Sequence, residues 1–147
     1  MIRRIRLTTG LILFVFVTGH LLNHAFGLHS LAAMEAGRDW FILIWRNPVG
    51  SAALLGSLAA HLLLAAWALY SRRSLRMSNG EALQLVFGFS IPLLLAVHFV
   101  GTGGSHRMFG TEDNYAYILL VQWKYSDTSV YWQTLGLFAC WIHGCIG

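Results

Sequence analysis

Charge is what this sequence most lacks. Only 11% of its 147 residues are charged and 56% are hydrophobic, whereas a soluble domain carries roughly 25% charged residues. The shortage is uneven: four stretches, 7–28, 49–70, 82–100 and 130–147, contain no Asp, Glu, Lys or Arg. Each reaches or approaches the roughly 17 to 25 residues a helix needs to cross the hydrocarbon core of a bilayer. Cysteine is scarce too. Cys140 and Cys145 lie five residues apart in the last stretch and on different helix faces, so neither a disulfide framework nor a cysteine metal site is visible. "CWIH" also lacks the second cysteine of the C-x-x-C-H haem c signature. There is no P-loop, nucleophile elbow or H-E-x-x-H, hence no motif for soluble-type catalysis. No internal repeat or low-complexity segment stands out.

The composition predicts an all-α integral membrane protein, a helical bundle of four transmembrane helices over those stretches, forming one domain over 1–147. The opening "MIRRIR" resembles the charged start of a signal peptide, and "SLAA" at 30–33 a cleavage site. The apolar run exceeds a signal core of about 7–15 residues and three similar segments follow, so it is read as the first span. Basic residues set the orientation. Arg3, Arg4 and Arg6 share one side with Arg72, Arg73 and Arg76, while Arg38, Arg46, Arg107 and Lys124 on the other side are mixed with Glu35, Asp39, Glu112, Asp113 and Asp127. The positive-inside rule puts the N-terminus in the cytoplasm. The net charge of +4 therefore reports topology and not nucleic-acid binding. In the outer loops, "SLAAMEAGRDWFILIW" and "DNYAYILLVQWKY" mix charge with aromatic and aliphatic residues, as short interfacial helices do, although ordinary ordered loops fit equally well. The chain ends within the apolar "CWIHGCIG", and we expect it to continue on the cytoplasmic side.

Seven histidines occur, and five fall within the spans: His20 and His24 in the first, His61 in the second, His98 in the third and His143 in the fourth. One such histidine is as well explained by hydrogen-bonded packing as by function. A histidine in every span is harder to explain that way, because ionisable groups in membrane helices are rare and costly. Two imidazoles from different helices, one on each face of the iron, make a b-type haem site. Helical rise places His20 about 20 Å, His98 about 24 Å and His61 about 13 Å from the cytoplasmic ends of their spans. His143 lies about 20 Å below the outer face, or about 10 Å above the cytoplasmic one in a core of about 30 Å. The four sort into an outer pair, His20 with His98, and an inner pair, His61 with His143, as two stacked haems require.

Small residues flank the inner histidines, Ala53, Ser57, Ala65 and Ala68 around His61 and Gly136, Ala139, Cys140 and Gly147 around His143. They suit a flat macrocycle, and they suit close helix packing as well. His24, one turn beyond His20, can be the outer ligand itself or can hydrogen-bond a haem propionate or a quinone. We favour His20, and depth does not separate them. His29 and His106 fall at the outer boundary, where an ordinary surface histidine is the commoner reading, although either can line a quinone pocket. Arg38, Arg46, Arg107 and Lys124 can pair with propionates, although solvated loop charge is the commoner role. Pro92 is expected to bend the third span below His98.

This arrangement, with one ligand on each of four spans, paired first with third and second with fourth, resembles the dihaem cytochrome b anchors of succinate:quinone oxidoreductases and fumarate reductases. "GHLLNH" is similar to their first-helix motif, in which the first histidine is the ligand; that resemblance implies His20. A closer likeness is to the N-terminal anchor domains of some bacterial class III adenylate cyclases, through "RLTTGLILFVFVTGHLLNHAFGL", "WRNPVG", "EALQLVFGFSIPLLLAVH" and "WIHGCIG". It implies two haem b groups exchanging electrons with the quinone pool in the bacterial inner membrane, and a cytoplasmic catalytic domain in cis that reads their redox state, with a homodimer as the cyclase-linked form. One rival is an anchor subunit bound to dehydrogenase subunits in trans. The other is a haem-free helical module for oligomerisation or transport; the absence of Asp and Glu within the spans counts against a proton path.

Overall fold

The computed structural model describes residues 1–126 and 128–147. Asp127, counted above among the outer-loop charges, lies outside them. Among the described residues every regular element is helical. The chain forms two compact units, residues 1–75 and 76–147.

The first unit contains α1 (Ile2–Ala25), which tightens into a 3-10 turn over Phe26–Leu28, then α2 (Leu31–Trp45) and α3 (Pro48–Tyr70). The starts of α2 and α3 have local causes. Ser30 Oγ accepts from the Ala33 amide at 3.1 Å to begin α2. Asn47 Oδ1 accepts from the Gly50 amide at 2.8 Å, and Pro48 follows at the first helical position, where its missing N–H costs nothing. The turn between α2 and α3 is so tight that a Cβ on Gly50 would strike the Ile44 carbonyl. α1 packs along α3 and against α2.

The second unit contains α4 (Asn79–Phe99), a π-helical stretch over Val100–Gly104, α5 (Ser105–Phe109), α6 (Tyr115–Leu120), a second π-helical stretch over Val121–Tyr125, and α7 (Ser129–Ile146). Ser78 and Glu81 form a capping box at the start of α4: Ser78 Oγ accepts from the Glu81 amide at 3.3 Å and the Ser78 amide donates to Glu81 Oε2 at 2.9 Å. Replacing Ser78 with alanine is expected to fray this end and cost about 1 kcal/mol in reversible unfolding. α4 continues through Pro92. α5 stops at Gly110, whose φ of 66° is left-handed. α4 packs along α7.

Among the described residues, three segments are long and apolar enough to cross a membrane: Ile2–Leu28, Pro48–Tyr70 and Asn79–Phe109. Their outward faces are apolar; Leu93 and Val97, for instance, are 79% and 71% exposed. Water would penalise so much exposed apolar surface, and a lipid bilayer accommodates it. The fourth expected span is a helix, but at 18 residues it is the shortest of the four, and Gln133 and His143 lower its hydropathy. It is not among the three apolar segments.

Candidate functional site

In the first unit, His61 on α3 is half-buried against α1. Its Nδ1 lies 3.1 Å from the Arg6 carbonyl oxygen and 3.4 Å from Thr9 Oγ1. A carbonyl only accepts, so Nδ1 carries the proton and donates it. Thr9 directs its own hydroxyl toward the carbonyls of Ile5 and Arg6, at 2.9 and 3.0 Å. The imidazole edge rests on Gly10, where a Cβ would sit 3.0 Å from His61 Cε1.

The second unit repeats this geometry with different residues. His143 Nδ1 on α7 donates to the Gln84 carbonyl on α4 at 3.0 Å. The ring rests on Gly88, where a Cβ would sit 2.7 Å from Cε1 and 2.9 Å from Nδ1. In both units the proton is held on Nδ1, so a neutral ring keeps its lone pair on Nε2. That is the tautomer of a metal-binding histidine whose second nitrogen is tied to a backbone carbonyl. The donor set fits haem iron: neutral imidazole nitrogen, fixed in orientation, beside a helix surface cleared of side chain.

His20, His24 and His98 are set differently. His20 Nε2 and His24 Nε2 are 3.2 Å apart, one donating and one accepting, with the rings edge to face. Whichever ring coordinates a metal through Nε2 gives up that hydrogen bond. His20 also stacks on Phe16 at 6.0 Å and lies 5.5 Å from the Phe41 ring on α2. Trp45 meets Phe16 edge-on at 5.2 Å, so α2 supplies an aromatic platform for His20. His98 is half-buried on α4, and its carbonyl accepts from Thr102 Oγ1 at 2.7 Å within the π-helical stretch.

No protein-family model, no curated protein and no solved structure matches this chain. The chemistry is therefore argued from its own residues. Among the described residues, no three His, Cys, Asp or Glu side chains converge as a metal cluster, so the histidines act singly or in pairs. Both cysteines are free thiols. His29 is exposed at the end of the 3-10 turn. His106 is tied into its own loop: its Nδ1 donates to the Thr111 carbonyl at 2.8 Å and lies 3.8 Å from the buried Asp113 carboxylate. Arg38 pairs with Asp39 at 3.7 Å.

Two of the small residues flanking His143 serve close helix packing. A Cβ on Gly136 would lie 2.5 Å from Leu95 Cδ2, and one on Gly147 2.6 Å from Gln84 Nε2. Around His61, Ser57 is buried while Ala53 is exposed. The residues missed from sequence are Gly10 and Gly88. Leu7, Gly10 and His20 recur with identical spacing as Leu85, Gly88 and His98, but three matches do not single out the glycines without knowing which histidine rests on them.

Proposed function

We propose that this chain is a membrane-embedded dihaem b cytochrome that exchanges electrons with the quinone pool. The observation that carries the reading is the matching pair of inner histidines, each with Nδ1–H held by a backbone carbonyl of the neighbouring helix. His61 and His143 hold the inner haem and His20 and His98 the outer one, with His24 beside His20. The two-level arrangement is supported within each unit separately. His61 meets α1 at Gly10 and His143 meets α4 at Gly88, and in each helix the outer histidine lies ten residues further on, about 15 Å of helical rise.

When bound, haem supplies one-electron exchange between ferric and ferrous iron. The protein's share of the work is orientation, exclusion of water and tuning. Backbone carbonyls at Arg6 and Gln84 fix the inner ring planes and raise their basicity as ligands. Phe16, Phe41 and Trp45 keep the His20 side apolar, and burial and hydrogen bonding to the ligands set the potentials.

The remaining features complete the proposal. Four spans cross the bacterial inner membrane from a cytoplasmic N-terminus, with α2 and α6 along the outer surface. The chain is a redox-sensing anchor that biases a cytoplasmic adenylate cyclase domain in cis, as a homodimer. The test is anaerobic addition of a quinol to the protein in lipid nanodiscs, followed in the visible spectrum. Reduced b-type bands that disappear on adding quinone are expected, and a haem-loaded protein indifferent to quinol contradicts the redox role. Co-purifying flavin and iron–sulfur subunits would identify a dehydrogenase anchor in place of the cyclase-linked one.

A further inference from the structure

We propose that Gly10 and Gly88 are positioning residues, two copies of one device that aims the inner imidazoles. The proposal rests on the haem reading and adds to it the feature of the chain that makes the ligand tautomer attainable.

The argument starts from helix geometry. In an α-helix the carbonyl of residue i accepts from the N–H of residue i+4, which leaves its second lone pair on the helix surface. Cα–Cβ bonds tilt toward the helix N-terminus, so the side chain at i+4 lies over the preceding turn and covers that carbonyl. A histidine from another helix reaches it only if the residue at i+4 has no side chain. Both accepting carbonyls meet the condition: Arg6 is followed four residues later by Gly10, and Gln84 by Gly88. The imidazoles occupy the space a Cβ would take, with His61 Cε1 at 3.0 Å from the Gly10 Cβ position and His143 Cε1 at 2.7 Å from that of Gly88.

Ordinary packing glycines occur here as well. Gly136 brings α7 onto Leu94 and Leu95, with aliphatic neighbours only. Gly10 and Gly88 differ in that the nearest atoms their missing Cβ would meet belong to a histidine ring, and that ring donates to the carbonyl four residues earlier. The same construction occurs in two units that share almost no other sequence in these helices. Because the Gly88 contacts are closer, with Nδ1 at 2.9 Å against 3.4 Å at Gly10, alanine there displaces the ring from its acceptor more than alanine at position 10.

The device acts on one haem. Both glycines sit under inner ligands, ten residues from the outer ones, so alanine at either position disturbs the same haem. The test compares wild type with Gly10→Ala and Gly88→Ala, using Gly80→Ala on α4 as control because a Cβ there meets nothing within 4 Å. Haem release to excess apomyoglobin and the low-spin ferric EPR signals are read for each variant. Gly88→Ala is expected to release one haem about 10-fold faster or more, the loss typical of a disrupted ligand partner. That haem is the one absent from His143→Ala. Gly10→Ala affects the same haem less, and Gly80→Ala resembles wild type.

Wild-type release rates and EPR signals in both glycine variants would overturn the proposal while leaving the haem reading intact, as would an effect on the outer haem. If Gly88→Ala fails to fold, Gly10→Ala decides. Nitrogen-15 NMR of histidine-labelled protein provides a readout that needs no haem. His61 and His143 should appear protonated at Nδ1, each glycine variant should alter its own ring alone, and an Nε2-protonated ring at both positions in wild type would overturn the proposal. A wild-type protein that takes up no haem would instead fail the parent reading.

Discussion

Replacing His61 or His143 with alanine is expected to remove one of the two proposed haems and leave the other, with the double variant losing no more than either single one. On the proposed reading each substitution deletes a ligand whose ring is held by a main-chain hydrogen bond, 3.1 Å to the Arg6 carbonyl or 3.0 Å to the Gln84 carbonyl. Nothing nearby replaces the lost nitrogen, because the helix surface beneath each ring is glycine. The non-additivity is the discriminating feature, since two residues serving one group act as a unit. Pyridine haemochrome content per chain, with the visible difference spectrum, measures it. Two single variants that lose different haems would contradict the inner pairing, and variants that keep both would remove these histidines from the ligand set.

Placing leucine at Gly37 should disturb the outer haem and spare the inner one. A Cβ at this position would strike Asn23 Oδ1 and lie 2.8 Å from Phe26 Cδ2, where α2 meets the end of α1 and the 3-10 turn. Asn23 is only 4% exposed and has little room to yield. The added side chain therefore moves α2, and with it Phe41 and Trp45, away from Phe16 and His20. Overpacking of this kind costs about 1–3 kcal/mol. His61 is seated on the N-terminal part of α1, at Arg6 and Gly10, and keeps its hydrogen bond. The expected result is lower thermal stability with an altered or lost outer-haem EPR signal beside an unchanged inner one. Equal loss of both signals would show that α2 is a general support and not a platform for His20.

The apolar stretches were readable in the sequence because hydrocarbon length and missing charge are one-dimensional properties. The second stretch, 49–70, agrees with α3 to within a residue, since Asn47 and Pro48 mark its start and Ser71, Arg72 and Arg73 follow its end. The first was placed from Leu7, yet the helix begins at Ile2. Arg3, Arg4 and Arg6 limit where lipid can lie but do not prevent helix formation. The third was placed over 82–100, whereas its helix starts three residues earlier at the Ser78 cap and its helical path continues through π-helical residues to Phe109. The first of the two long loops is helical over Leu31–Trp45, one of the two readings its composition allowed, while the second holds the short helices α5 and α6, each beside a π-helical stretch.

The histidines were readable for a related reason: a polar ring in an apolar run is conspicuous. Their partners were not, because Arg6 and Gln84 contribute backbone carbonyls, which every residue has. Gly10 and Gly88 become informative only once it is known which histidine rests on them. The mutual hydrogen bond of His20 and His24 was likewise hidden, since one-turn spacing allows the contact without requiring it.

The most direct test of the central claim is a haem count. The full chain, expressed in membranes with haem supplied and purified in mild detergent, is assayed by pyridine haemochrome and by low-spin ferric EPR. Two b-type haems per chain, each with the signature of two histidine ligands, is the predicted result. A chain that purifies folded and without haem, or whose haem survives loss of all four histidines His20, His61, His98 and His143, would contradict the cytochrome assignment.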